Sequence, residues 1–355
     1  MSERVLVAMS GGVDSSVAAA LLVEQGCEVI GVTMRLAGNG SRCCSLDDVE
    51  DARRVAERLG IRFYVADYAD AFRREVMEPF ADAYLAGRTP IPCVACNGRF
   101  KFARLLARAR ALGADAVATG HYARIARDPA SGALRLLRGA DPAKDQSYFL
   151  FDLGPAQLAA ARFPVGALDK EEVRARARAL GLPTADKPES MEICFVPDGD
   201  YAAVVEALRP EAAPGEGEVV DEEGRVVGRH GGVHRFTVGQ RRGLAVAAGE
   251  RVYVRALDAA RNRVVVAPRA RLGARGARLS GTSWVAGAPP SGPVRARVRV
   301  RYRHAGAPAS ITPGADGAAE LRFDAPVEAV TPGQAAVFYD GDAVLGGGWI
   351  EEAIP

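Results

Sequence analysis

The first half of the chain alternates short, continuous apolar runs with longer segments in which apolar residues recur every three or four positions. Continuous runs are typical of buried strands, and the wider spacing is typical of helices that pack on one face. The predicted strands cover residues 4–9, 28–34, 62–66 and 116–119. The predicted helices cover residues 15–24, 46–59, 69–86, 99–111 and 169–180. This alternation indicates an α/β fold with a parallel sheet covered on both faces.

Near residue 210 the pattern changes to short apolar–polar alternations separated by Gly, Pro and Asp. Such a pattern is typical of small β barrels, and the remaining length suits two of them. The predicted strands cover residues 217–220, 226–228, 251–257, 263–267, 294–302, 319–323, 334–339 and 343–350, and an earlier hairpin covers 123–127 and 134–138. The predicted domains are an α/β domain at 1–208, a central β-rich domain at 209–275 and a C-terminal β barrel at 276–355.

Composition is ordinary for a soluble protein, with 48% hydrophobic and 25% charged residues among 355. No apolar run approaches the roughly 20 residues that span a bilayer, and no signal peptide precedes the first strand. We therefore expect a cytoplasmic protein without membrane association. The net charge of +2 does not by itself point to nucleic acid. Six cysteines in a chain of this size indicate chemistry or packing rather than a disulfide framework.

The segment Ser10-Gly-Gly-Val-Asp-Ser-Ser16 lies between the first predicted strand and the first predicted helix. Gly11 and Gly12 allow a sharp turn and a close approach to an anion. The N–H groups of the first helical turn and the three serine hydroxyls are expected to point at that anion. The loop lacks the lysine and the spacing of a P-loop. An ordinary Gly-rich turn between strand and helix is the weaker alternative.

The same segment resembles the pyrophosphate loop (PP-loop) of the ATP-pyrophosphatase superfamily. Members of that superfamily split ATP between the α and β phosphates and adenylate a carbonyl oxygen. A carboxylate beside phosphates needs a divalent cation between them, so Asp14 predicts Mg²⁺. The resemblance thus implies ATP and Mg²⁺ as cofactors.

A second candidate segment, Thr89-Pro-Ile-Pro-Cys-Val-Ala-Cys-Asn97, precedes the helix predicted at residues 99–111. Asn97 is a plausible N-cap, which would leave Cys96 just outside a helix N-terminus. That position, with basic residues nearby, should lower the pKa of the thiol and favour thiolate. A further cysteine, Cys194, lies far along the chain, and the sequence alone does not bring it close to Cys96.

Six segments together make a more selective pattern than the pyrophosphate loop alone. They are residues 10–16, 89–97, 118–124, 144–150, 187–195 and 236–244. In this order they resemble the bacterial tRNA-specific 2-thiouridylase family over essentially the whole chain. The resemblance implies an adenine-nucleotide α-hydrolase-like domain with a parallel sheet, followed by two small β-rich, barrel-like domains.

The resemblance also implies site residues. The ATP-binding positions would be Ala8, Met9, Ser10, Gly11, Gly12, Val13, Asp14, Ser15, Met34 and Gly120. The positions facing the target base would be Ile91, Pro92 and Cys93, and those contacting tRNA would be Lys144, Asp145, Gln146, Arg301 and Tyr302. Cys96 matches the family's nucleophile, and Cys194 matches its persulfide-carrying cysteine. Many members have Asn-Pro-Asp where this chain has Ile-Pro-Cys.

The implied reaction adenylates C2 of the wobble uridine in tRNAs of the Lys, Glu and Gln type, and sulfur then displaces AMP. In the simplest version Cys194 carries a persulfide received from a donor protein. Cys96 attacks the inner persulfide sulfur and releases hydrosulfide, or it assists the transfer. A Cys96–Cys194 disulfide results, which a reductant must reset. The additional Cys93 allows a second version. Cys93, Cys96 and Cys194 could hold a 4Fe–4S cluster with one iron open to bind hydrosulfide.

Several other residues carry two interpretations. For the pair Cys43-Cys44 the alternatives are a metal or redox role and simple packing in a loop. We favour packing. His121 contacts nucleotide or tRNA, or makes a structural hydrogen bond. Five arginines alternate from Arg295 to Arg303, which would place them on one strand face. That face is either a solvated basic surface or a stripe that follows phosphates.

Two other functions compete with the thiouridylase. One is an ATP-pyrophosphatase ligase that adenylates a small carboxylate or nucleotide. Such ligases usually need an ammonia-supplying glutaminase domain, and they do not need three placed cysteines. The other is a nucleotide-gated RNA-binding module without catalysis, against which Asp14 and the loop serines argue.

Overall fold

The computed structural model describes residues 2–36, 45–189, 193–196, 199–244, 246 and 251–355. Cys43 and Cys44, for which the sequence left two interpretations, lie outside the described residues. None of the described helices is long and apolar enough to cross a membrane.

The N-terminal region forms a parallel sheet and a hairpin. Its strands are β1 (Arg4–Ala8), β2 (Glu28–Arg35), β3 (Arg62–Asp67), β4 (Ala116–Ala118), β5 (Ala123–Arg127), β6 (Leu134–Arg138) and β7 (Ala161–Arg162). The sheet has the order β3-β2-β1-β4-β7, and each of its neighbouring pairs is parallel. The order runs outward from β1 in both directions, so β1 and β4 flank the point where a ligand binds in such sheets. The predicted parallel sheet is confirmed.

Nine helices accompany this sheet within the described residues. They are α1 (Val13–Glu24), α2 (Leu46–Leu59), α3 (Ala69–Phe72), α4 (Glu78–Leu85), α5 (Pro92–Ala95), α6 (Ala103–Ala111), α7 (Pro155–Ala160), α8 (Lys170–Ala179) and α9 (Tyr201–Leu208). Two π-helical segments, Arg73–Met77 and Cys96–Phe102, join α3 to α4 and α5 to α6. Helix α2 matches its prediction because a capping box at Ser45 begins it and Gly60, at φ +66°, ends it.

The central region is a four-stranded sheet. Its strands are β8 (Gly217–Val220), β9 (Val226–His230), β10 (Val252–Asp258) and β11 (Arg263–Pro268), in the order β10-β11-β8-β9. Its core includes Val219, Phe236 and Val254, all buried. In the sequence, this sheet lies between the α/β region and the last region of the chain.

The last region is a closed barrel. Its strands are β12 (Gly273–Trp284), β13 (Val294–Arg299), β14 (Ala307–Pro313), β15 (Ala319–Glu328), β16 (Ala335–Asp340) and β17 (Ala343–Ile354). They pair in the order β12-β15-β14-β13-β16-β17, and β17 pairs back onto β12. The ring of six strands leaves no sheet edge within the barrel itself. The predicted domain division after residue 208 coincides with the end of α9, whereas the division after residue 275 lies inside β12.

The hairpin of the N-terminal region adds to this barrel. Strand β6 pairs antiparallel with β17, with Leu137 opposite Ala343 and Leu136 opposite Val344. Leu136 is fully buried in the same apolar cluster as Val337 and Val344. Main-chain hydrogen bonds and an apolar core therefore join the α/β region to the C-terminal barrel.

Candidate functional site

A cavity of about 1370 Å³ opens where β1 and β4 end. Ser10 from the turn after β1, Asp14 from the first turn of α1 and His121 just after β4 line it. Arg299 of β13 and Tyr302, which follows that strand, line it as well. The cavity thus lies at the position expected for a ligand of a parallel sheet, and it extends to the third region of the chain.

The turn after β1 depends on one glycine more than on the other. Gly11 has φ +72°, and a Cβ there would come within 2.3 Å of the Asp48 carbonyl oxygen. The hydroxyls of Ser15 and Ser16 donate to the Gly12 carbonyl at 3.1 and 2.8 Å. In this structure both hydroxyls are thus engaged inside the turn, which they hold closed.

Gly120 brings the end of β4 against the first turn of α1. A Cβ on Gly120 would lie 2.6 Å from the backbone nitrogen of Ser15, so a side chain at this position would push the two elements apart. Met34, predicted as the last residue of the second strand, is one residue before the end of β2 and is buried in the core. The strand continues for one residue beyond it because Arg35 still pairs with Asp67 of β3.

Asp14 is the centre of a charged network that the sequence did not indicate. Its Oδ1 accepts hydrogen bonds from the Tyr122 hydroxyl at 2.7 Å and the Lys170 ammonium at 2.6 Å. Lys170 is held at the first position of α8, which begins with a capping box at Asp169. Burial and the neighbouring Asp14 raise the pKa of Tyr122, so its hydroxyl stays protonated and donates.

The structure corrects the predicted position of Cys96. The helix begins at Pro92, not near Asn97, and Cys96 opens the π-helical segment inside it. Proline fits a first helical position because its φ is preset and its missing N–H would have no partner there. The argument for a thiolate at Cys96 from a helix N-terminus therefore does not hold. Cys93 is the cysteine in the first turn.

All three predicted cysteines of the site line the cavity. Cys96 is buried, and Cys93 and Cys194 are half-buried. Next to Cys194, the Phe195 ring packs edge-on against Phe72 and Phe80, with centroids 5.7 and 5.1 Å away. The apolar core thus anchors the chain beside Cys194 and directs this distant segment to the same cavity as Cys96.

The cysteines do not form a ready-made metal site. Over the residues that the structure describes, no three His, Cys, Asp or Glu side chains are grouped so that they could hold a metal ion. In the arrangement seen here the donors therefore do not fit a cluster.

Comparison with known proteins adds to this geometry. Family models match three regions: a tRNA methyl transferase HUP domain at residues 3–198, a tRNA methyl transferase PRC-barrel domain at 205–268 and an aminomethyltransferase β-barrel domain at 274–350. The tRNA-specific 2-thiouridylase MnmA of Geotalea uraniireducens is 52% identical, covering 99% of this chain and 96% of the relative. This chain belongs to the MnmA family. The MnmA of Solibacter usitatus is 52% identical over 98% of this chain and 99% of the relative, and that of Rhodospirillum rubrum is 53% identical over 98% and 96%.

The segment that the MnmA resemblance assigns to tRNA has a buried member. Asp145 is 4% exposed in its side chain, and Oδ1 accepts from the backbone nitrogens of Gly139 and Ser147 at 3.2 and 3.0 Å. Its Oδ2 lies 3.2 Å from Arg299 of the barrel. These contacts shape the loop between Lys144 and Gln146 and tie it to β13.

The arginine series in this MnmA family member does not form one strand face. Strand β13 ends at Arg299, so Arg301 and Arg303 lie in the turn that follows it. Arg295 makes two bonds to Asp324, at 2.8 and 2.6 Å, and Arg299 is turned toward Asp145. The prediction that all five arginines share one strand face is therefore wrong, and Arg301 and Arg303 are exposed because they lie in a turn.

His121 follows β4 and makes a local contact. Its Nδ1 lies 2.7 Å from the Thr119 hydroxyl, and its ring meets Phe163 edge-on. Burial, with a contribution from Lys101, lowers its pKa from 6.5 to about 3. The imidazole is therefore neutral at physiological pH.

We expect His121 to make stability depend on pH. Its contribution is complete above pH 6.5, where the unfolded chain also holds a neutral imidazole, and it falls as the pH drops toward 3. Between pH 8 and pH 5 the free energy of unfolding should fall by about 2 kcal/mol more in the native chain than in a His121→Phe variant. Urea unfolding at the two pH values measures this difference. Equal losses would contradict a buried neutral His121.

Proposed function

We propose that this chain is a tRNA 2-thiouridylase that adenylates C2 of the wobble uridine with ATP and replaces the C2 oxygen by sulfur. The observation that carries the proposal is one cavity lined by Asp14 of the pyrophosphate loop and by Cys96 and Cys194 from distant segments. Because a site for ATP and two thiols share one cavity, the same bound uridine could be adenylated and then receive sulfur.

ATP would lie across the turn after β1. The backbone N–H groups at the start of α1 would face the phosphates, and the close packing of Gly120 on Ser15 keeps side chains out of that space. Asp14 makes both of its bonds through Oδ1, and Oδ2 is the oxygen with which it would hold Mg²⁺. Magnesium usually combines one or two carboxylates with substrate phosphates, so one Asp fits it. When bound, it would neutralise phosphate charge.

The sulfur-transfer step would use the two cysteines in different roles. The uracil O2 attacks the α phosphorus and pyrophosphate leaves. The Cys96 thiolate attacks the inner sulfur of a persulfide on Cys194, releasing hydrosulfide and forming the Cys96–Cys194 disulfide. Hydrosulfide attacks C2, and AMP departs with the former uracil oxygen. A reductant then restores both thiols, and a donor protein supplies the next persulfide sulfur.

tRNA would meet the cavity from the side of the barrel. Lys144, Gln146 and Tyr302 line it, and Phe149 packs on Tyr302 with ring centroids 4.5 Å apart. Asp145, being buried, would act by positioning its neighbours. Ile91, Pro92 and Cys93 also line the cavity, where they would face the base of a Lys, Glu or Gln tRNA.

The iron–sulfur version would need Cys93, Cys96 and Cys194 to come closer together than they are in the described structure, although all three line the cavity. Iron analysis of protein purified without air, together with a Cys93→Asp variant, separates the two versions. Unchanged sulfur transfer without iron would remove the cluster.

The function is tested by incubating the protein with ATP, a sulfide or persulfide source and unmodified tRNA. Mass spectrometry of the digested tRNA should find 2-thiouridine, with AMP and pyrophosphate in equal amounts. AMP formed on a small carboxylate would favour the ligase alternative, and binding without turnover would favour the RNA-binding module.

Neutralising Arg301 is expected to weaken tRNA binding and to lower the slope of log affinity against log salt by about 1. Arg301 is exposed, and its bond to the Glu328 carbonyl is a long 3.2 Å. Filter binding at several salt concentrations measures the slope of Arg301→Gln. Arg295→Gln is the matched control, since the Arg295 guanidinium is already paired with Asp324. An unchanged slope in Arg301→Gln would exclude a phosphate contact.

A further inference from the structure

Glu189 makes an unusual set of contacts at the cavity wall. Its Oε1 lies 2.7 Å from the ammonium of Lys170, and its Oε2 lies 2.6 Å from that of Lys144. Arg174 approaches Oε1 at 3.9 Å. A single carboxylate therefore bridges two lysines that come from different parts of the α/β region.

The bridge joins two sites that the proposed function keeps separate. Lys170 also binds Asp14 at 2.6 Å, so it lies beside the segment proposed to hold the ATP phosphates. Lys144 belongs to the segment assigned to tRNA. Both lysines and Glu189 line the cavity. The carboxylate occupies, on both ammonium groups, positions that a phosphate oxygen of a ligand could take.

The charge of this group favours replacement by a stronger anion. Lys144, Lys170 and Arg174 supply three positive charges, and the carboxylates of Asp14, Glu189 and Asp141 face them, the last through a 3.3 Å hydrogen bond from the Lys170 backbone N–H. Burial alone would raise the pKa of Glu189, but hydrogen bonds from the two lysines lower it below its usual value. Glu189 is thus charged at neutral pH, and a phosphate that takes its place restores the negative charge that the two ammonium groups would otherwise lose.

We propose that Glu189 is an internal stand-in for phosphate that couples the two ligands. The phosphates of ATP bind the Lys170 ammonium and displace Glu189 from it. Displacement also removes Glu189 from Lys144, which then becomes available to the tRNA backbone. Each ligand thereby removes a competitor of the other, and linkage requires the effect to be mutual. The inference rests on the proposed function, because it takes ATP and tRNA as the ligands.

Another contact keeps the segment that contains Glu189 in place when Glu189 is changed. Two residues earlier, Lys187 binds Asp48 at 2.7 Å and Asp51 at 2.5 Å. The Asp51 side chain is 25% exposed and that of Glu189 is 24%. Asp51→Asn therefore removes a carboxylate of similar exposure, on α2, that contacts the same segment through Lys187 but has no contact with Lys144 or Lys170 among the ion pairs of the described residues. It is the matched control.

The test compares the native chain with Glu189→Gln and Asp51→Asn by calorimetry with an ATP analogue that cannot be cleaved between the α and β phosphates. Glu189→Gln should bind it about three- to tenfold more tightly, because the amide no longer competes as an anion. Asp51→Asn should bind as the native chain does. Lys170→Gln should bind it more weakly.

A second measurement concerns coupling. The analogue should tighten tRNA binding by the native chain, whereas Glu189→Gln should bind tRNA tightly with or without it. Unchanged or weaker analogue binding by a Glu189→Gln protein with a normal melting temperature would overturn the inference while leaving the proposed function standing. Should Glu189→Gln not fold, Glu189→Ser and Glu189→Ala give the same comparison. Absence of analogue binding by the native chain would overturn both.

Discussion

Replacing Cys194 by Ser is expected to abolish 2-thiouridine formation, by at least about a thousandfold, while ATP binds with near-native affinity. A hydroxyl cannot carry a persulfide, so the chain would have no sulfur to deliver. Cys194 lines the cavity but lies outside the turn after β1, so nucleotide binding should not depend on it. Mass spectrometry of tRNA measures the product, and calorimetry measures ATP binding.

Two companion variants sharpen this result. Cys96→Ser should also stop turnover, but it should retain a persulfide on Cys194 after incubation with a sulfur donor. Cys27→Ser is the control, because Cys27 packs against the core beneath the sheet and should keep full activity. Normal thiolation by Cys194→Ser would refute the persulfide role, and loss of ATP binding would show that the variant disturbs the whole cavity.

Replacing Asp14 by Ala is expected to slow pyrophosphate release about a hundredfold or more. The change removes the carboxylate that would hold Mg²⁺ against the phosphates, and it also removes the partner that positions Lys170. Coupled-enzyme detection of pyrophosphate in the presence of tRNA measures the rate.

Tyr122→Phe is the control for the hydrogen bonds around Asp14. It removes one hydrogen bond to Oδ1 but leaves the carboxylate and its contact with Lys170 in place. We expect it to slow release only a few-fold. If Asp14→Ala released pyrophosphate at the native rate, Asp14 would have no part in holding the metal or the phosphates.

Much of the α/β region could be predicted because its strands are continuous apolar runs and its helices carry local end signals. Strands β12 and β14 were missed. The first is rich in Gly, Arg and Ser, and the second contains two prolines and small residues, so neither has a strong apolar alternation. Pairing with neighbours in the closed barrel determines these strands, and such pairing is invisible in a local pattern.

The site shows the same division between local and distant information. The turn after β1 could be placed from its glycines and from the strand and helix beside it. Lys170 could not be connected with Asp14, because 156 residues separate them and only the folded chain brings them together. The start of the helix at Pro92 was missed since Asn97 was interpreted as the N-cap of a helix at residues 99–111.

The pairing of β6 with β17 has a practical consequence for protein engineering. A shortened chain that stops after the central sheet would leave β6 with a bare row of amide and carbonyl groups and would uncover Leu136. Bare edges of this kind recruit strands from other molecules. Truncation at the last domain junction should therefore yield aggregates rather than an isolated nucleotide-binding fragment.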